Sequence, residues 1–130
     1  MQIPKDTYGD CVRVAKSYYL LLARKREIER EILLSSPPPP NGMPRGGRIS
    51  DKTGEKAERL IRRKAVIERK LGAIQAALDG LRDEHEMAFI RKNLFDRIPM
   101  EYIPAPMCER TMQSIRRAYI VALAYFLDEI

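Results

Sequence analysis

Residues 108–127 read CERTMQSIRRAYIVALAYFL, and this stretch decides the interpretation of the fold. Met112, Ile115, Tyr119, Ala122 and Phe126 recur in it at alternating steps of three and four residues. Because an α-helix has about 3.6 residues per turn, this spacing places the apolar side chains on one side of a helix. The stretch is therefore predicted to be a helix that buries one side.

The opposite side and flank of this predicted helix are polar. Their side chains can reach phosphate oxygens and base edges, and a helix equipped in this way can lie in a DNA major groove. These polar residues are Arg110, Gln113, Ser114, Arg116 and Arg117. The simpler alternative is an amphipathic C-terminal helix that only packs against the rest of the chain.

Residues 98–107, which precede this helix, have room for one short helix and a tight connection. A short helix, a turn and a polar-faced helix form the outline of a helix-turn-helix motif. Pro99 suits the start of the short helix, whereas Pro104 and Pro106 limit it to about one turn.

The composition indicates a folded chain with an anionic partner. Of the 130 residues, 45% are hydrophobic and 32% charged, which is enough for a core, and the length fits one ordinary domain or one small domain plus a helical extension. The formal net charge of +6 favours nucleic acid, although many helical proteins are mildly basic. No apolar run is long enough to span a membrane, and residues 1–10 lack the pattern of a secretion signal. We therefore expect a cytoplasmic protein.

The chain offers few residues for catalysis or metal binding. Cys11 and Cys108 are far apart and His85 is the only histidine, which is too few ligands for a zinc site. We expect both cysteines to be buried or half-buried thiols and His85 to be exposed or to cap a helix. No carboxylate pair, nucleophile–base couple or phosphate-binding loop has useful spacing. The sequence thus predicts no enzyme, no cofactor and no metal site.

Two long helices with matching apolar seams are predicted at residues 1–36 and 55–80. Their seams should pack against each other antiparallel, against a second copy of the chain, or both. The first seam contains Cys11, Val14, Tyr18, Leu21, Ile28 and Ile32, with Lys25 at the missing position. The second contains Ala57, Leu60, Lys64, Ile67, Leu71, Ile74, Leu78 and Leu81.

Residues 37–54 form a proline- and glycine-rich linker between the two long helices. The four prolines at residues 37–40 end the first helix and favour a stiff extended spacer. A ligand for a proline-binding module is the alternative. Arg45 and Arg48 follow in the linker and are candidates for accessory phosphate contacts.

Two short phrases carry a family resemblance: GMPRGGRISDKT at residues 42–53 and CERT at residues 108–111. With the order of long helix, proline-rich break, second long helix and C-terminal three-helix segment, they make the chain resemble the small phage-encoded transcription regulators of the RinA and ArpU type. The C-terminal part of those regulators is similar to region four of sigma-70-family factors, which reads promoter DNA through a helix-turn-helix.

The resemblance implies a protein that binds double-stranded DNA, regulates phage or prophage genes and contacts RNA polymerase. It assigns residues 81–97 to the first helix of the DNA-reading segment, 99–103 to the scaffold helix and 109–127 to the recognition helix. A homodimer would present two recognition helices to two half-sites. The residues carried over as facing DNA are Arg110, Thr111, Gln113, Ser114 and Arg117, to which the polar pattern adds Arg116.

The predicted fold is all-α: a long, coiled-coil-like helical hairpin followed by the helix-turn-helix segment at residues 81–130. Residues 81–107 carry four basic and five acidic residues, so the helices before the last one contribute little positive charge. An alternative function is therefore a helical oligomeric interaction or adaptor protein with a degenerate helix-turn-helix that does not bind DNA.

Overall fold

The computed structural model describes residues 3–35, 51–104 and 106–128. All regular structure within these ranges is helical, which confirms the all-α prediction. The α-helices are α1 (Lys5–Lys16), α2 (Tyr18–Ser35), α3 (Asp51–Asp79), α4 (Glu84–Ile90) and α5 (Glu109–Phe126). A π-helical turn, Arg91–Phe95, continues α4, and a 3-10 turn, Met100–Tyr102, precedes α5.

The first long helix is broken at Ser17, where the sequence predicts continuity. The Ser17 hydroxyl donates to the Arg13 carbonyl at 2.7 Å, a bond that favours a bend. The Arg97 guanidinium donates to the Lys16 carbonyl from Nε at 3.1 Å and from Nη2 at 3.0 Å. The single-helix prediction is wrong here because a side chain from the far end of the chain satisfies a carbonyl that α1 leaves open.

Helix α2 packs along α3 as a hairpin. One groove between the helices is lined by α2 residues 18–25 and α3 residues 68–75, and a second by α2 residues 21–31 and α3 residues 63–70. Later positions in α2 thus lie beside earlier positions in α3, and the helices are antiparallel. Lys25 and Lys64 are half-buried in the seams and reach Glu29 at 4.0 Å and Glu68 at 3.5 Å. Leu21, Ile28, Leu60 and Ile67 are buried between the two helices.

Helix α3 begins at Asp51, before the predicted start at residue 55. Residues 36–50 lie outside the described residues. They include most of the predicted linker, residues 42–50 of the phrase, and both Arg45 and Arg48.

The remaining elements pack around α5 in a compact unit that we call the head. Helix α5 contacts the C-terminal half of α3, α1, α4 and the 3-10 turn. It is antiparallel to α3, because Tyr119 hydrogen-bonds to Ile74 while Asp128 pairs with Arg69 at 2.9 Å. Its fully buried neighbours include Ile74, Leu78, Phe89, Ile90 and Leu94.

Three consecutive residues, starting at the last residue of the π-helical turn, contact α2 and the end of α1. The Phe95 ring stacks on Tyr18 at a centroid distance of 4.4 Å. Asp96 accepts a hydrogen bond from the Tyr19 hydroxyl at 2.8 Å, and this bond raises the pKa of Tyr19. Arg97, with its left-handed φ of 60°, makes the two bonds to Lys16 described above.

Among the described residues, no helix combines the length and apolar character needed to cross a lipid bilayer.

Candidate nucleic-acid interface

Helix α5 is anchored by more apolar contacts than its predicted stripe supplies. Met112, Ile115 and Tyr119 are buried, as predicted. Ile120, Leu123 and Ala124 are buried as well, as expected from the nearly all-round apolar character of residues 119–127, and both α3 and α1 contact α5. The Tyr119 hydroxyl donates to the Ile74 carbonyl at 3.2 Å, and burial strongly raises the pKa of this phenol.

Four polar side chains stand on the exposed side of α5: Arg110, Gln113, Ser114 and Arg117. We call them the polar face of α5. They occur at steps of three, one and three residues, so they share one side of the helix over two turns. Within the described part of the chain, none has an ion-pair or hydrogen-bond partner, and the donors of both guanidinium groups stay available to a ligand.

Some other arginines of the described residues are engaged, whereas others, such as Arg26 and Arg30 on α2, are exposed without an ion-pair partner as well. Arg69 donates to the Asp128 carboxylate at 2.9 Å and also contacts the Leu127 carbonyl at 3.3 Å. Further engaged arginines are Arg13 with Asp10 at 3.0 Å, Arg62 with Glu58 at 3.6 Å and Arg97 with the Lys16 carbonyl at 3.0 Å.

Two of the six predicted contact residues on α5 are placed less favourably. Thr111 is exposed, but its hydroxyl lies 3.2 Å from the Cys108 thiol. Arg116 is half-buried, and its Nε atom is buried without a hydrogen-bond partner in the described structure. The helical pattern could not predict the partial burial of Arg116, because that burial depends on how other elements pack against α5.

The polar face is bordered by acidic residues on the side of α4. A groove of about 490 Å³ separates the two helices, and Asp83, His85 and Glu86 line it opposite Thr111 and Ser114. Asp83 caps α4 by accepting from the Glu86 amide at 2.9 Å, and His85 is exposed, as predicted. These carboxylates would repel a polyanion, although Arg82 lines the same groove. Glu109 is exposed one turn before Gln113, so a carboxylate lies on the other flank of the polar face as well.

Beyond Arg117 the exposed side of α5 becomes apolar. A shallow groove of about 590 Å³ is lined there by Ala118, Val121, Ala122, Tyr125 and Phe126. Tyr125 is 64% exposed and Phe126 44% exposed, although Phe126 belongs to the predicted buried stripe. The stripe prediction is wrong at this end of α5, where the core no longer covers the ring. The polar face is thus confined to the first half of α5.

The element in the position of the scaffold helix is a single 3-10 turn. Pro99 starts it and Ile103, just after it, is buried. The preceding loop is tied by Asn93, whose side-chain amide donates to the Ile98 carbonyl at 3.0 Å. The arrangement before α5 is therefore shorter and less regular than that of an ordinary helix-turn-helix.

Cys108 is exposed, which corrects the expectation of a buried or half-buried thiol, whereas Cys11 is buried. Cys108 is the N-cap residue of α5, and its thiol lies 3.2 Å from the Thr111 hydroxyl. The hydrogen bond from Thr111 is the main cause of a lowered pKa at Cys108.

We expect Cys108 to react selectively with a thiol reagent in the folded protein, because it is exposed and a lowered pKa increases its thiolate fraction near neutral pH. Iodoacetamide labelling followed by mass spectrometry should modify Cys108 before Cys11, with a pH midpoint below that of an ordinary thiol. Thr111→Val should move this midpoint upward and slow the reaction at neutral pH. Equal labelling of both cysteines, or an unchanged midpoint in the variant, would contradict this assignment.

No group of three cysteine, histidine or acidic side chains close enough to hold a metal ion occurs in residues 3–35, 51–104 and 106–128.

Comparison of the chain with protein-family models, with curated proteins and with solved structures gave no match. The resemblance to the phage regulators therefore depends on the sequence phrases and the order of elements alone.

Proposed function

We propose that the chain is a non-enzymatic, double-stranded-DNA-binding transcription regulator of phage or prophage genes that acts in the cytoplasm. In this proposal α5 enters the major groove with its polar face. RNA polymerase is a further proposed partner, and a homodimer is the proposed assembly. These two proposals come from the family resemblance and from the symmetry of regulators that bind two half-sites.

The observation that carries this proposal is the polar face of α5. Arg110 and Arg117 have no partner among the described residues, so DNA contacts would not require existing ion pairs to break. The helix beneath them is held by a dry apolar side that includes Tyr119 and Leu123. Base readout requires side chains that are held in a fixed position and have hydrogen-bond donors available. A helix anchored on its buried side, with unpaired donors on its exposed side, meets both requirements.

The test is fluorescence anisotropy of the intact protein with a labelled mixed-sequence duplex. Because phosphate contacts release counterions, affinity should fall steeply between about 50 and 200 mM salt. A matched single-stranded oligonucleotide serves as the competitor and should displace the duplex poorly. Absence of binding at the lowest salt concentration would contradict the proposed function.

A helical interaction or adaptor protein is the second candidate, and exposed apolar side chains favour it. Tyr125 on α5 is 64% exposed, while Leu33 and Leu34 on α2 are 76% and 79% exposed. Such side chains are typical of surfaces that bind another protein. This candidate predicts self-association in analytical ultracentrifugation that is indifferent to added DNA and weakened by Leu33→Ser or Tyr125→Ser.

A further inference from the structure

The length of the polar face sets the number of base pairs that it can read. Arg110 and Arg117 are seven residues apart on α5. At about 1.5 Å of rise per residue they are separated by about 10 Å along the helix axis. Base pairs are spaced by about 3.4 Å in the duplex, so this length corresponds to three to four consecutive base pairs.

The structure also limits which side chains can take part. Among the predicted contact residues, the Thr111 hydroxyl contacts the Cys108 thiol and Arg116 is half-buried, which leaves Arg110, Gln113 and Arg117 as the long exposed side chains. After Arg117 the exposed side is apolar, with Val121 and Tyr125 in place of polar groups. The reading segment therefore ends at Arg117.

The three long side chains differ in the base edge that they match. An arginine offers a fork of donors and no acceptor, which fits the two acceptors of guanine, O6 and N7. A glutamine offers one donor and one acceptor, which fits N7 and N6 of adenine. The Ser114 hydroxyl can both donate and accept a hydrogen bond, so it can pair with any of several bases and adds little base preference.

We propose that α5 recognises a short element of three to four base pairs in which two G·C pairs flank an A·T pair. This inference rests on the proposed function. Arg110 and Arg117 contact the two guanines, and Gln113, which lies between them, contacts the adenine. Each wrong base pair should weaken binding by about 5- to 150-fold, the range that a good bidentate contact contributes.

The test is selection of bound duplexes from a random library by the immobilised intact protein, followed by sequencing. The enriched element should contain a guanine at each end and an adenine between them. Gln113→Glu should change the central preference from adenine to cytosine, because a carboxylate accepts from the cytosine amino group. Arg117→Gln should change the preference at one end from guanine to adenine, because a glutamine matches N7 and N6 of adenine.

Arg30→Gln is the matched control, since Arg30 is an exposed arginine on α2. It should select the same element as the unaltered protein. Enrichment of an element without the two guanines, or the same element from the Arg117→Gln variant, would overturn this inference and leave DNA binding itself standing. Salt-dependent binding with no enriched element would overturn it as well. Absence of any DNA binding would overturn both this inference and the proposed function.

Discussion

Tyr119→Ala is expected to lower the free energy of unfolding by about 3–5 kcal/mol, as found when a large aromatic side chain is removed from a packed core. Tyr119 is fully buried in the middle of α5 and donates a hydrogen bond to the Ile74 carbonyl. Its loss would leave a cavity between α3 and α5 that the surrounding helices cannot fill. Because the free energy of unfolding of a small domain is about 5–15 kcal/mol, this loss would remove a large fraction of the total stability.

Urea denaturation followed by circular dichroism measures this effect. Tyr125→Ala is the matched control, since Tyr125 lies on the same helix but is 64% exposed, and it should change stability by less than about 0.5 kcal/mol. Tyr119→Phe keeps the ring and removes only the hydroxyl, and it should lower the free energy of unfolding by about 1 kcal/mol. Equal midpoints for the two alanine variants would show that α5 is not anchored through Tyr119.

Replacing both Arg110 and Arg117 by alanine should weaken DNA binding by at least about 25-fold, because each arginine contributes about 1–3 kcal/mol through base contacts. The two residues are about 10 Å apart on α5, so their contributions should be nearly additive. Both side chains are exposed, so thermal stability should change little. The anisotropy assay on a duplex that carries the selected element measures the loss.

The matched control for this double variant removes the same charge from another surface. Arg26 and Arg30 are exposed on α2, with no ion-pair partner in the described part of the chain. Their replacement by alanine should weaken binding much less, through the change in net charge alone. If both double variants lost affinity equally, general electrostatic attraction rather than the polar face would explain binding.

Helical periodicity predicts much of the fold from the sequence. The seams place Leu21 and Ile28 opposite α3, and Leu60 and Ile67 opposite α2, where they are buried. The α5 stripe is correct at Met112, Ile115 and Tyr119. These predictions succeed because apolar side chains at helical spacing lie on one side of the helix, and packing against one apolar surface buries that whole side.

Features that depend on distant contacts were not accessible to the sequence. The break at Ser17 is stabilised by Arg97, which reaches Lys16 from the other end of the chain. The nearly all-round apolar character of residues 119–127 predicts burial on more than one side of the helix, which Ile120 and Ala124 confirm. It leaves open whether the long helices or a second subunit cover this stretch, and α1 and α3 contact α5 within the chain. For the candidate site, the pattern identified Arg110, Gln113, Ser114 and Arg117 as an exposed set, whereas the partial burial of Arg116 depends on tertiary packing.

Site-directed photo-crosslinking shows whether DNA lies against the first half of α5. A photoreactive thiol reagent is attached to Ser114→Cys in a Cys108→Ser protein, where the buried Cys11 should not react. We expect crosslinks to duplex DNA from position 114 and none from the same reagent at Arg30→Cys on α2. No crosslink from position 114 in a protein that binds the duplex, or equal crosslinking from position 30, would contradict this expectation.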